Sequence, residues 1–328
     1  MHKVSRRQFC ALPAILFITG STRTFAASES YPNRPITIIC PSAPGGQTDI
    51  VSRLVAEELG KRLNITVTVL NREGAGGTLG MTAAARAPAD GYTLILTFQG
   101  PTTVAPALYP DLQYDPMQDF VAVSPISTTN QFLTVGPSAP FKNLKEVIDA
   151  AKQQPGKISY GTSGVGSTAH LAGELLQQQV GIKLNHIPYK GESHALRDVA
   201  GGLLDMTFST LAGTKALADA GRVHMIAVTT ANRAAAAPDI PTFDESGVKG
   251  YNVPTWFGVL APSKTPPDIV ARLQKECSSF LKDPDVRERV LARNIEPWLL
   301  EPTDFQQWLR DDTVRWSNVI KAANIKPA

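Results

Sequence analysis

Short runs of β-branched and other apolar residues recur along the chain, separated by longer stretches in which apolar positions return every three to four residues. Alternation of this kind predicts an α/β fold in which mostly parallel sheets are flanked by helices. Strands are predicted at 36–40, 65–70, 92–97, 121–126, 132–135, 158–160, 205–208, 225–229 and 257–260. Between the first two, Ile50, Val51, Leu54, Val55 and Leu59 fall on one stripe while Arg53, Glu57 and Lys61 take the other side. That is the mark of a surface helix packed on a sheet. The last third is helical in texture, at 268–281, 284–292 and 303–323, with proline-rich joints at 262–267 and 297–302. In its final segment Phe305, Trp308, Leu309, Trp316, Val319 and Ile320 share a face, so this helix is expected to pack against the body. No repeat of solenoid period is visible.

The order of these elements suggests that the chain leaves one lobe near Ser127 to Gln131 and returns near Val253 to Trp256. Lobe 1 is then discontinuous, comprising 28–128 and 254–328, and lobe 2 is 129–253. Two crossing segments beside a cleft form a natural hinge for closure around a small ligand.

Composition narrows the choice of function. The 328 residues are 43% apolar and 19% charged, the mix of a globular protein, with enough chain for two domains. The net charge of +3 is concentrated at the start, where residues 1–27 carry Lys3, Arg6, Arg7 and Arg23 and no acid. Without those four, 28 basic face 29 acidic side chains, a net of −1, so the body has no basic stripe for a nucleic-acid backbone. Nucleic-acid partners are not expected. Residues 1–27 themselves read as an export signal: Ser5-Arg6-Arg7-Gln8-Phe9, an apolar stretch from Ala11 to Ile18, then small residues at Ala26 and Ala27. The paired arginines resemble the twin-arginine class, and the sequence leaves the export route, twin-arginine or general secretory, open. The apolar stretch is well short of a membrane span, and the mature protein is expected free in the periplasm, as a monomer. Of three cysteines, Cys10 lies in the signal, and the sequence leaves open whether Cys40 and Cys277 meet.

Two glycine-rich turns from strand to helix carry the candidate chemistry. The first is Pro44-Gly45-Gly46-Gln47-Thr48-Asp49, and the second runs from Gly161-Thr162-Ser163-Gly164 through Gly166-Ser167-Thr168 to His170. Glycine lets a ligand approach the backbone, and the first N–H groups of a helix have no partner inside it, so each turn can receive an anion without a cationic side chain. One turn falls in each lobe, which sets them facing each other across the cleft. Neither is a phosphate loop, because no Gly-Lys-Ser/Thr follows, and Gly74 to Gly80 misses the dinucleotide spacing. No cofactor is expected.

Catalytic patterns are poorly formed. Ser163, His170 and Asp205 supply the residue types of a triad without a Gly-x-Ser-x-Gly turn. The mature histidines His170, His186, His194 and His224 show no His-x-x-x-His pair, and no Cys-x-x-Cys occurs, so no metal site is expected. His170 reaches a ligand or caps its helix locally; Asp205 faces a ligand or serves a turn. An exported hydrolase or isomerase using the same cleft is the competing class, and a ligand sensor for a signalling kinase is a third.

Several motifs then occur in one order: Pro44-Gly45-Gly46-x-Thr48-Asp49, Asn71-Arg72-x-Gly74-Ala75-Gly76-Gly77 and Ala87-Pro88-Ala89-Asp90-Gly91-Tyr92. They are followed by Tyr160-Gly161-Thr162-Ser163-Gly164-x-Gly166-Ser167, Pro188-Tyr189-Lys190-Gly191 and Trp256-Phe257-Gly258. In these the sequence resembles the Bug family of extracytoplasmic solute receptors, which serve tripartite tricarboxylate transporters, across the whole mature chain. The resemblance implies a two-lobed periplasmic binding protein of type II-like fold that closes on a small organic carboxylate and delivers it to membrane subunits, without catalysis. It places the carboxylate between Gly46, Gln47, Thr48 and Asp49 on one side and Thr162, Ser163, Gly164, Ser167 and Thr168 on the other. Two positions depart from the family pattern: Ser42 replaces a common aromatic, and Ser209-Thr210 replace an Asp or Asn after the middle-lobe strand. Ser42 and Ser209 are therefore expected at the far wall of the pocket, with a roomier cavity than in many relatives.

Overall fold

The structure, a computed structural model, describes residues 31–328 apart from 190, 292–294 and 328. The expected export signal, 1–27, lies outside the described residues. The strands are β1 (Ile36–Cys40), β2 (Val67–Asn71), β3 (Thr93–Phe98), β4 (Phe120–Thr129), β5 (Gln131–Val135), β6 (Ser159–Thr162), β7 (Asn185–Pro188), β8 (Met206–Thr210), β9 (His224–Val228), β10 (Thr255–Pro262) and β11 (Glu296–Pro297). The helices are α1 (Gln47–Leu63), α2 (Thr78–Ala85), α3 (Ala105–Leu108), α4 (Leu144–Gln153), α5 (Thr168–Val180), α6 (Glu192–Ala200), α7 (Leu211–Asp219), α8 (Pro267–Lys282), α9 (Pro284–Leu291) and α10 (Pro302–Ala322). Local chemistry sets several ends. Helix α1 stops at Asn64, which takes a left-handed φ of 50° and returns its N–H to the Gly60 carbonyl. Helix α5 stops in the same way at Gly181.

The fold is two-lobed α/β, built on a six-stranded sheet in the order β11-β4-β10-β3-β1-β2 and a five-stranded sheet in the order β7-β6-β8-β5-β9. The sheets are mixed rather than mostly parallel. Strands β2, β1 and β3 run parallel, as do β7, β6 and β8, whereas β10, β4 and β11 in one sheet and β5 and β9 in the other join antiparallel. The cause is the crossing between sheets. Strand β4 ends at Thr129 and β5 begins at Gln131, so one residue, Asn130, carries the chain from sheet to sheet. The returning strand β10 starts opposite that point, with Thr255 paired to Thr129, and an outgoing and a returning strand must run in opposite directions. Strand β7 escapes the hydrophobic pattern because it is an edge strand whose four residues are half-buried or exposed. Strand β11 is only two residues long.

Each sheet has its own core. Ile36, Ile38, Val51, Leu54, Val55 and Leu59 meet Phe257, Leu273 and Phe280 around the first. Tyr160, Leu171, Leu176, Phe208, Phe243 and Tyr251 fill the second. Helix α10 belongs to both: Phe305 and Leu309 pack with Ile39, Ile95 and Trp256 on the first sheet. About two to three turns beyond Leu309, Trp316, Val319 and Ile320 join the core of the second, together with Val104 and Leu108. At its midpoint the buried Asp312 accepts a 2.7 Å hydrogen bond from Thr103 Oγ1. The helix is thus a strap across the two halves. Cys40 and Cys277 are both buried and unpaired with each other, and burial pushes the Cys277 thiol up to about 12. Among the described residues no helix is long and apolar enough to cross a membrane.

Truncating Trp316, which is fully buried where the strap meets the second core, tests this account. Trp316→Ala is expected to cost about 3–5 kcal/mol, read as a lower midpoint in denaturant unfolding. A loss under about 1 kcal/mol would show that the strap carries little of the stability.

Candidate functional site

The first glycine turn follows β1 and leads into α1. Its cap residue, Gly46, is extended (φ −78°, ψ 169°) and places no side chain on the helix end. The first-turn N–H groups of Gln47, Thr48 and Asp49 therefore have no partner from the helix itself. Gly45 sits at φ 84°, in the left-handed region that favours glycine. Asp49 is 3% exposed and turned into the protein. It accepts from the Gly45 N–H at 2.9 Å, from Arg53 Nε and Nη2 at 2.9 and 3.0 Å, and from Asn71 Nδ2 at 2.9 Å. The Arg53 guanidinium, with those N–H groups, holds the carboxyl down to about 2. Asn71 Nδ2 also donates to the Ser42 carbonyl, so Ser42 is fixed through its backbone. Asp49 is a clamp on the turn, with both oxygens occupied, and the Thr48 side chain beside it is buried. Gln47 alone of this group lines the chamber described below.

The second turn, between β6 and α5, closes largely upon itself. Thr162 Oγ1 pairs with His186 Nε2 at 2.7 Å and receives the Gly164 N–H. Ser167 Oγ donates to the Gly164 carbonyl at 2.7 Å and accepts the His170 N–H as the helix cap. His170 Nδ1 accepts the Gly166 N–H at 3.1 Å. Its ring stacks on His186 with centroids 3.9 Å apart. Burial, with the second imidazole alongside, holds His170 down to about 3, and burial holds His186 to about 4, so both rings are neutral at neutral pH. Thr168 Oγ1 reaches across to Gln99 Oε1, just after β3, at 2.7 Å. Ser163 is exposed. Thr162, Ser167 and His170 thus brace the turn through these hydrogen bonds.

Two sequence-derived candidates lie away from these turns. Asp205 precedes β8, at the far end of that strand, where its carboxylate accepts from the Ser159 N–H at 2.7 Å and Ser159 Oγ at 2.6 Å. Ser209 Oγ is buried between Thr134 Oγ1 and Thr214 Oγ1. Because successive side chains in a strand point to opposite faces, it is Thr210 that opens to the cleft. Ser163, His170 and Asp205 are therefore not assembled as a triad.

The chamber itself, of about 270 Å³, lies where the chain crosses between the sheets. Gln47 at the start of α1 forms one side; Thr210, Leu211 and Ala212, where β8 becomes α7, form another. Thr129, Asn130 and Thr255 of the crossing, with Phe132 and Phe257, supply the floor, and Ala234 to Ala236 and Leu291 complete the apolar lining. Two acids are present. Glu192 Oε1 accepts from the Thr210 N–H at 3.0 Å and Oγ1 at 2.9 Å, and burial pushes this carboxyl above its usual range. Glu296 Oε1 accepts from Asn130 Nδ2 at 2.8 Å and the Ala235 N–H at 3.2 Å. Sequence reasoning missed both acids. Glu192 stood just after Pro188-Tyr189-Lys190-Gly191 and opens α6, which was a usable signal; Glu296, in a two-residue strand, offered none.

Comparison with known proteins agrees with this architecture. The family model described as the tripartite tricarboxylate transporter family receptor matches residues 51–325. BugT of Bordetella pertussis is 32% identical over 96% of this chain and 97% of its own. Among solved structures, the R. palustris protein Rpa4515 with adipate is 35% identical with a TM-score of 0.77, over 91% of this chain and all of that one. MatC (Rpa3494) from Rhodopseudomonas palustris with bound malate is 31% identical with a TM-score of 0.73, over 88% of this chain and all of that one. The chain belongs to the tripartite tricarboxylate transporter receptor family.

The Asp49 clamp has a pH signature. A carboxyl held near 2 in the folded protein, against about 3.9 unfolded, contributes stability that is complete above the unfolded value and is lost as pH falls towards 2. With Arg53 largely exposed and screened, that contribution is about 1–2 kcal/mol. Asp49→Asn is expected to lower stability by this amount at pH 7 and to lessen the loss between pH 4 and 2 in acid-unfolding curves. Parallel curves for the two proteins would remove the clamp. Ser167→Ala, which deletes the cap of α5, is expected to cost about 1 kcal/mol of stability in thermal unfolding; an unchanged midpoint would show the cap to be idle.

Proposed function

We propose that this receptor-family chain captures one small organic carboxylate in the periplasm, between its two lobes, and presents it to membrane-embedded transporter subunits. The observation that carries the reading is the start of α1. Gly46 leaves the helix end uncapped, and Gln47, its first residue, lines the chamber between the sheets. A carboxylate there gains about 0.3–1 kcal/mol from the helix dipole and roughly 1.5–3 kcal/mol from each charge-assisted hydrogen bond. About four such bonds meet the ~8 kcal/mol of micromolar affinity after ordering costs. The proposed cradle is the backbone of Gly46, Gln47 and Thr48, with the exposed Ser163 across the gap. The adipate and malate named with the two R. palustris relatives support a carboxylate as the ligand class.

In this reading the lobes are 28–128 with 254–328 and 129–253, and closure bends the chain at Asn130 and before Thr255. The protein is taken as a monomer, exported through its amino-terminal segment, that leaves its ligand chemically unchanged. The scattered positions of Ser163, His170 and Asp205 support a receptor over an exported hydrolase or isomerase.

Isothermal titration across a panel of mono-, di- and tricarboxylates is expected to find an acid that binds one-to-one at micromolar affinity, and mass spectrometry to recover that acid intact. Binding confined to sugars or cations would overturn the proposal. Gln47→Pro probes the helix end itself. Proline is tolerated at the first helical position, and the extended Gly46 suits a residue before proline, so the fold is kept while one N–H donor is removed. Affinity is expected to fall by about 1.5–3 kcal/mol relative to Gln47→Ala, and equal affinities would remove the backbone from the site.

A further inference from the structure

The chamber beside Gln47 has a polarity that an anion cradle alone does not explain. Its apolar walls, Phe132, Phe257 and Leu211 among them, lead to two carboxyl groups from different parts of the chain, Glu192 and Glu296. Each has its Oε1 occupied by two donors, which fixes the carboxyl in place. In the hydrogen bonds found among the described residues neither Oε2 takes part. Thr129 Oγ1, on the same wall, is buried without a partner. Among the described residues no lysine or arginine lines the space. A ligand anchored by one carboxylate on α1 would extend its body along Phe132 and Phe257 and bring its far end to two fixed acceptors. A second carboxylate there would meet like charge that no lysine or arginine of the described lining neutralises. A hydrogen-bond donor would complete the open oxygens.

We propose that the receptor selects a monocarboxylate with a short apolar body and a terminal hydrogen-bond donor, a hydroxyl or an ammonium, which Glu192 and Glu296 receive. This rests on the reading of the chain as a carboxylate receptor, and it says which carboxylates are admitted and which refused. Burial raises the Glu192 carboxyl above its usual range and the two donors on its Oε1 oppose that shift; its Oε2 is the atom that the ligand's donor would reach.

The test is calorimetric titration, at neutral pH, of matched sets of four to six carbons: the straight-chain dicarboxylate, the ω-hydroxy acid, the ω-amino acid and the unsubstituted monocarboxylate. At one length or more the ω-hydroxy or ω-amino acid is expected to bind at least ten times more tightly than the dicarboxylate, and more tightly than the unsubstituted acid. Which of the two is preferred tells a neutral from a cationic donor. Glu192→Gln is expected to shrink that preference at least fivefold, by weakening the donor-bearing acid and admitting the dicarboxylate. Glu296→Gln is a second, independent arm with the same expectation. Dicarboxylates binding as tightly as the donor-bearing acids, or any di- or tricarboxylate preferred over them, overturns the proposal. So does a selectivity that both variants leave intact. If no carboxylate of any class binds, it is the receptor reading itself that fails.

Discussion

An α-helix cannot satisfy the N–H groups of its own first turn, and the architecture around α1 keeps that deficit open. Two things in the sequence could have closed it. A serine or threonine at position 46 would have folded back onto the helix as a cap, but the residue is glycine. Asp49, in the first turn, could have turned outward over the same N–H groups. Instead Gly45, Arg53 and Asn71 take all its capacity and hold it inward, where it shapes the turn. The positive end of the helix is left to face the space between the sheets.

The opposing turn illustrates a different solution. There the helix of the second lobe is capped by Ser167, and the glycine-rich segment before it is braced by Thr162, His170 and His186. The two stacked imidazoles are neutral because burial opposes their charging, so they work as a flat polar spacer with defined donors and acceptors. The two turns look alike in sequence, yet one is open backbone and the other a rigid wall. Thr168 ties that wall to Gln99, just after β3 of the six-stranded sheet.

Both turns depend on how the sheets are joined. A single residue, Asn130, carries the chain out, and β10 brings it back alongside β4. The chamber forms at this junction, so residues of the junction itself, Thr129, Asn130 and Thr255, become its floor. Helix α10 passes from one core to the other, with Asp312 held by Thr103 at its midpoint. The strap therefore joins the two cores independently of the crossing strands.

The sequence by itself determined most of the elements and their order, the edge strands β7 and β11 excepted. Runs such as Ile36 to Cys40 and the stripe from Val51 to Leu59 bury the same residues in almost any α/β context, because their period matches one secondary structure. It also marked the two glycine turns, since glycine next to a helix start is a local backbone requirement. It could not say which polar side chains face the ligand. Ser167 is taken by a carbonyl three residues away, Thr162 and Asp205 are taken by partners 24 and 46 residues away, and Ser209 and Thr210 trade faces with a single residue of strand register. Glu192 and Glu296 stand 104 positions apart and share one cavity only because the chain crosses twice between the sheets. Propensity and periodicity act over a few residues; what a side chain finally touches is decided by elements far away in sequence, and that only the tertiary structure settles.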